Sequence, residues 1–165
     1  MKAVQMTAPG SADEVLQPVD IPAPEITRPG QIRVQLRAAG VNPIDTKLRS
    51  RGIFYPDGLP AILGCDGVGI VTDTGSEVTG LRPGDAVWFC HGGLGGAPGN
   101  YAEFTVLEQA VACRMPASLD FTAAAALPLV AITAWEALFD RAGLGDGQTV
   151  LIHAGAGGVG HVAIQ

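Results

Sequence analysis

The residues in this chain whose types and spacing point most directly to chemistry are Gly155-Ala156-Gly157-Gly158-Val159-Gly160. They match G-x-G-x-x-G, in which the first glycine permits a tight turn, the second lets bare main chain approach a pyrophosphate, and the third lets a helix pack closely on a strand. The pattern by itself is weak, because a glycine-rich loop in an unrelated fold can produce it. Its surroundings narrow the choice. Thr149–Ala154 (TVLIHA), directly before it, is a short apolar run suited to a buried parallel strand. His161-Val162-Ala163-Ile164-Gln165, after it, can open a helix whose N–H groups and dipole favour phosphate. The expectation is a dinucleotide-binding corner on Gly155, Ala156, Gly157, Gly158, Val159 and Gly160.

Other chemistry-bearing residues are sparse. Cys65, Cys90 and Cys113 are odd in number and far apart, with no C-x-x-C pair, so a disulfide framework and a structural zinc knot both lack ligands. Three buried, reduced thiols are expected, and no metal. His91 lies in a glycine-rich loop and His153 on the apolar run, where a solvated or hydrogen-bonded histidine is the ordinary reading. The formal charge is -6, and the ten Lys and Arg are scattered singly. No basic stripe exists to neutralise phosphates, so neither nucleic acid nor an anionic membrane is an expected partner. No apolar run reaches the length of a membrane span, and the first residues, MKAVQM, read as a strand and not as a signal peptide. A cytoplasmic location is expected.

The elements that must position these residues fall into two unequal regions. With 47% apolar residues and a mean hydropathy of +0.29, 165 residues can bury a core, while 23 Gly and 12 Pro demand many tight turns. Strand character appears at Met1–Met6, Gln31–Ala39, Cys65–Thr72, Asp85–Cys90, Tyr101–Leu107 and Val111–Arg114. In Gln31–Ala39, Ile32, Val34, Leu36 and Ala38 alternate with polar residues, the period of a half-buried strand. The expectation is a closed or nearly closed β-barrel. Asn42 is a competent N-cap with Pro43 at the first helical position, which predicts about two turns through Ile44–Arg49, ended by Gly52. Composition shifts at Pro116. Asp120 can cap a helix over Phe121–Leu127, and Pro128 forces a kink or a restart. Leu129, Ile132, Trp135, Leu138 and Phe139 then recur at helical spacing up to Gly143.

This order resembles the medium-chain dehydrogenase/reductase superfamily over the whole chain. The resemblance rests on AGVNPID (Ala39–Asp45), LPAILGCDGVGIV (Leu59–Val71), PGDAVW (Pro83–Trp88), NYAEF (Asn100–Phe104), LPLVAITAWEAL (Leu127–Leu138) and TVLIHAGAGGVG (Thr149–Gly160). It implies a mainly β chain with α: a GroES-like β-barrel domain over residues 1–119, then bridging helices and the beginning of a Rossmann α/β domain over residues 120–165. Zinc-dependent alcohol dehydrogenases carry a Cys in the segment that here reads Gly40-Val41-Asn42, and a His in the G-H-E segment that here reads Gly64-Cys65-Asp66. Both are replaced, and a catalytic zinc needs about three N or S ligands around an open position. The chain is therefore more similar to the zinc-free quinone oxidoreductases, the zeta-crystallin-like branch.

That resemblance implies hydride transfer from NADPH to a quinone or an α,β-unsaturated carbonyl, with NADP preferred over NAD, and a homodimer for the full-length parent. Asn42 is similar to the family's residue beside the nicotinamide ribose, and a helix cap is its other role. Asp45 resembles the same motif's acid, though a first-turn carboxylate also suits a helix dipole. Tyr55 resembles the family's aromatic residue at the substrate pocket, where a phenol donates a hydrogen bond or proton. One extra residue separates it from the commonest spacing. Lys47 falls where relatives often have an aromatic. Thr133 resembles a contact to the nicotinamide from the bridging helix, against back-bonding within its own helix. Asn42 and Tyr55 are thus the expected catalytic residues, and Asn42, Thr133 and residues 155–160 the expected cofactor contacts.

The Rossmann half requires further βαβ units, and the residue about twenty positions beyond the glycines that reads the ribose is not in this chain. The expectation is an N-terminal piece that neither binds dinucleotide tightly nor turns over alone. Two alternatives stand beside the reductase. One is a non-catalytic barrel that assembles through an exposed C-terminal strand. The other is an alcohol dehydrogenase-like enzyme with an atypical zinc site.

Overall fold

A computed structural model describes residues 1–165, the side chain of Pro56 excepted. Strands dominate the first two thirds and lie in two antiparallel sheets. In the smaller, β1 (Lys2–Met6) sits between β2 (Leu16–Asp20) and β4 (Ala61–Ile62). In the larger, the order is β7 (Phe104–Glu108), β3 (Gln31–Ala39), β5 (Asp66–Thr74), β6 (Ala86–Cys90), β8 (Ala112–Arg114). The mainly β class holds, but the strands do not close into one barrel. The sheets meet through an isolated bridge between Ala3 and Ala102, with Val4 N–H donating to Tyr101 O at 2.8 Å and Glu103 N–H to Lys2 O at 3.0 Å.

Alternation decides where the core lies. On β3, Ile32 and Val34 are fully buried and pack with Val71 on β5, Val87 and Phe89 on β6 and Leu107 on β7. The chain ladders with β5 on one side and β7 on the other, so both edges of β3 are satisfied. A second cluster joins Met6, Val15, Leu48, Ile53, Ala61 and Leu63. It fixes helix α2 (Pro43–Arg51) and the short α1 (Ala12–Val15) against the small sheet. A third, formed by Val68, Ala124 and Ala125, seats helix α3 (Phe121–Ala125) on the large sheet.

Three elements are additions to the expected set: α1, β2 and the two-residue β4. Pro18 within β2 pairs with Val4, and only β1 borders that strand, so a missing N–H costs nothing on its open side. The Pro128 restart is real. Helix α3 ends at Ala125 with Ala126 as its C-terminal cap, and α4 (Pro128–Trp135) begins with Pro128 in its first turn. The helix then widens into a π-helical stretch over Glu136–Arg141, where Ala142 N–H reaches Ala137 O at 3.1 Å. Its expected apolar face is formed but uncovered: Ile132, Trp135 and Phe139 are exposed, with the Trp135 and Phe139 rings 4.5 Å apart.

Two expectations need correction. Thr149–Ala154 is not a strand; Leu151 is 79% exposed, and Ala154 turns into the left-handed region at φ 55. A parallel strand forms only on a neighbour that accepts its main-chain bonds, and none lies beside this segment among the described residues. The thiols, too, are not all interior: Cys65 is buried, Cys90 intermediate and Cys113 exposed.

Candidate functional site

Helix α2 begins where Asn42 holds extended backbone and Pro43 enters the first turn. Asn42 N–H donates to Asp45 Oδ2 at 2.7 Å, and Asp45 Oδ1 accepts from Gly64 N–H at 3.2 Å. Asp45 is therefore a cap that also ties α2 to the segment entering β5. The Asn42 amide is turned elsewhere: its Nδ2 donates to Asp66 Oδ2 at 2.8 Å. Asp66, the first residue of β5, is 0% exposed, and its other oxygen, Oδ1, accepts from Leu129 N–H at 2.8 Å. Burial pushes the Asp66 carboxyl above the ordinary carboxylate value, while the bonds from Asn42 and Leu129 oppose that shift. A cleft of about 250 Å³ is lined by Ala38 to Asn42, Asp66, Thr122, Ala125 and Ala126.

The groups around this carboxylate are shifted in both directions. Contact with Cys65, and then burial, push the Cys90 thiol far up, and Asp66 adds to the effect. The Cys65 thiol is pushed down by the Cys90 hydrogen bond, with burial and the two carboxylates opposing. Burial pushes the Tyr101 phenol up, reinforced by Asp45, and its OH donates to Gly40 O at 3.3 Å. Burial pushes His91 down, with Glu108 opposing. Asn100 anchors the floor, its Nδ2 donating to the carbonyls of Gly64, Cys65 and His91 at 3.0 to 3.1 Å.

The glycine run lies apart from this cluster. Gly157 precedes helix α5 (Gly158–Ile164), and its N–H bonds back to Ala154 O at 2.8 Å. A Cβ on Gly160 would strike the Ala154 main chain, so the helix approaches the preceding turn with nothing between them. The helix half of the expected corner is present, and in place of the strand half the chain is irregular over residues 149–152 and turns at 153–156. A groove of about 460 Å³ brings Gly157, Gly158, Val159 and Gly160 beside Ala134 and Ala137 of the bridging helix. Bare main chain on one wall fits a pyrophosphate.

Thr133 lies on that helix, exposed, and its Oγ1 donates to Leu129 O at 2.7 Å, the back-bonded arrangement. Tyr55 is 61% exposed on the loop after α2, its ring against Gly96. Asn42, Tyr55 and Thr133 thus line no common cavity, although Asp66 links the first to the start of the helix that carries the third. Lys47 points outward from α2. His153 is exposed, and among the described residues no three His, Cys, Asp or Glu are grouped to hold a metal ion.

Asp66 is the residue that sequence reasoning missed as part of the site. The available signal was an acid in a run of small and apolar residues, LGCDGVGIV, where a charge survives only with hydrogen-bond partners.

Residues 28–117 match the alcohol dehydrogenase GroES-like domain. The chain is 41% identical over 164 residues to a quinone oxidoreductase of Pseudomonas aeruginosa, covering 99% of this chain and 48% of that protein. It is 38% identical over 170 residues to the 2-methylene-furan-3-one reductase of Solanum lycopersicum, covering 100% of this chain and 43% of the reductase. A putative inactive phenolphthiocerol synthesis polyketide synthase of Mycobacterium tuberculosis is 45% identical over 147 residues, 87% of this chain but 8% of the synthase. Among solved structures, an alcohol dehydrogenase superfamily protein of Novosphingobium aromaticivorans superposes with a TM-score of 0.90 at 44% identity, over 99% of this chain and 49% of the other. The Escherichia coli quinone oxidoreductase complexed with NADPH superposes at 0.81 with 33% identity, over 99% and 48%. The chain therefore spans about half the length of these solved structures.

Proposed function

The chain belongs to the alcohol dehydrogenase GroES-like family of the medium-chain dehydrogenases and reductases, and from that membership we propose that the protein carrying it reduces quinones or α,β-unsaturated carbonyls with NADPH. The observation that carries the proposal is the glycine run opening α5 beside the bridging helix, in a chain similar to a quinone oxidoreductase and an enone reductase. The preference for NADPH rests on likeness to the E. coli enzyme.

Bound NADPH supplies a hydride to an electron-poor acceptor. Gly155, Ala156, Gly157, Gly158, Val159 and Gly160 hold its pyrophosphate on main-chain N–H groups. Asn42 and Thr133 orient the nicotinamide end. Tyr55, with its phenol open to solvent, donates a hydrogen bond or proton to the reduced oxygen. The chain thereby contributes proximity and proton delivery, which need no metal. The assay is oxidation of NADPH with a para-quinone and with an α,β-unsaturated ketone, by a protein that joins these residues to a complete nucleotide-binding half. Tyr55→Phe is expected to lower turnover about a hundredfold, the low end of general-acid effects. Absence of turnover with both acceptors refutes the proposal.

A second reading, in which the chain is a reductase module within a polyketide synthase, is favoured by the 45% identity to the mycobacterial synthase. The mass of the native polypeptide separates the two. For the alternative of strand addition through the apolar tail Thr149–Ile164, residues 149–152 are irregular with Val150 and Leu151 exposed, while residues 158–164 are already helical.

A further inference from the structure

Asp66 accepts an N–H on each of its oxygens, from groups that are distant in sequence. Oδ2 takes the Asn42 amide from the start of α2, and Oδ1 takes Leu129 N–H from the start of α4. Helix α4 needs that bond. Pro128 has no N–H, Leu127 at the cap position offers no side-chain bond, and Leu129 N–H is then a first-turn donor that the helix itself leaves unpaired. A carboxylate there also meets the positive end of the helix dipole. One turn later Thr133 Oγ1 bonds to Leu129 O, so a continuous hydrogen-bonded path runs from Asn42 through Asp66 and Leu129 to Thr133. Gly40 closes the junction, because a Cβ there would strike both Ala125 O and Asp66.

We propose that Asp66 is a positioning residue that locks Asn42 and helix α4 into one register, so that a single buried carboxylate sets where Asn42 stands relative to Thr133. The inference rests on the reading of those two residues as cofactor contacts, but the coupling itself is a property of the chain. Asp66→Asn keeps the shape but leaves one oxygen for two donors unless the Asn42 amide turns over, and in either case it replaces the charged acceptor of Leu129 N–H with a neutral one, so the bond to Leu129 is weakened. Exchanging the partners, Asn42→Asp with Asp66→Asn, reverses the first bond and leaves an oxygen for Leu129.

The test is amide hydrogen exchange by NMR on the 165-residue chain, which involves neither cofactor nor turnover and so fails separately from the reductase reading. Asp66→Asn is expected to accelerate exchange at Leu129 about ten- to a hundredfold, with Val34 and Val71 near their wild-type rates. The paired exchange returns Leu129 towards wild type. Three results overturn the proposal: unchanged exchange at Leu129, equal acceleration at Val34 and Val71, or no recovery in the double variant. If Asp66→Asn does not fold, Asn42→Ala decides. Shifted Leu129 and Thr133 amide resonances with an unmoved sheet support the coupling, and unshifted ones refute it.

Discussion

Strand β3 is bonded along both edges, to β5 and to β7, with Ile32 and Val34 fully buried between them. Thr149–Ala154, of similarly apolar composition, makes no ladder among the described residues and exposes Val150 and Leu151. The contrast shows that a strand is a relation between segments. Burying one Val or Leu side chain yields roughly 1.5–3 kcal/mol, and that gain is available only where a second layer covers the residue. The first region supplies its own second layer. The second leaves an apolar groove between α5 and the bridging helix.

The widest separation between the regions should appear on truncating one leucine in each. Leu107→Ala is expected to cost about 2–5 kcal/mol in denaturant unfolding, and Leu151→Ala no more than about 0.5 kcal/mol. Comparable losses would erase the distinction. A smaller effect should come from pH at the junction of the regions. Burial raises the folded-state value of Asp66 above its unfolded value, so the folded chain binds this proton more tightly. Its contribution to stability is then fully present below the unfolded value and is lost as pH rises through the folded one. Wild type should therefore lose stability relative to Asp66→Asn across that window, as read from unfolding midpoints at a series of pH values. A difference that grows in the opposite sense would contradict the burial argument. The smallest global change is expected for Gly160→Ala. Its methyl collides with Ala154, so α5 amides should lose exchange protection while the unfolding midpoint of the sheets moves little. A large shift of that midpoint would mean that α5 supports the sheets.

Local rules read much of this molecule correctly. Alternation in Gln31–Ala39 located a strand with those same ends, and Asp120 caps α3 through Ala123 N–H at 2.7 Å. Asn42 and Pro43 marked the start of α2, and Pro128 a restart. Each of these signals lies within a few residues of the structure it specifies. What could not be read depends on distance along the chain. Asp66 bonds residues 24 and 63 positions away, and neither spacing leaves a periodic trace. The failure at Thr149–Ala154 has the same origin, since composition encodes the wish of a segment to be covered but not the presence of a cover.

The Trp135–Phe139 pair gives the uncovered face of the bridging helix an optical signature. The chain has two tryptophans, one half-buried on β6 at Trp88 and one 61% exposed at Trp135. A chain that settles onto the Trp135–Phe139 face must dehydrate that indole, so a blue shift in emission, lost in Trp135→Phe, would register the event without a label.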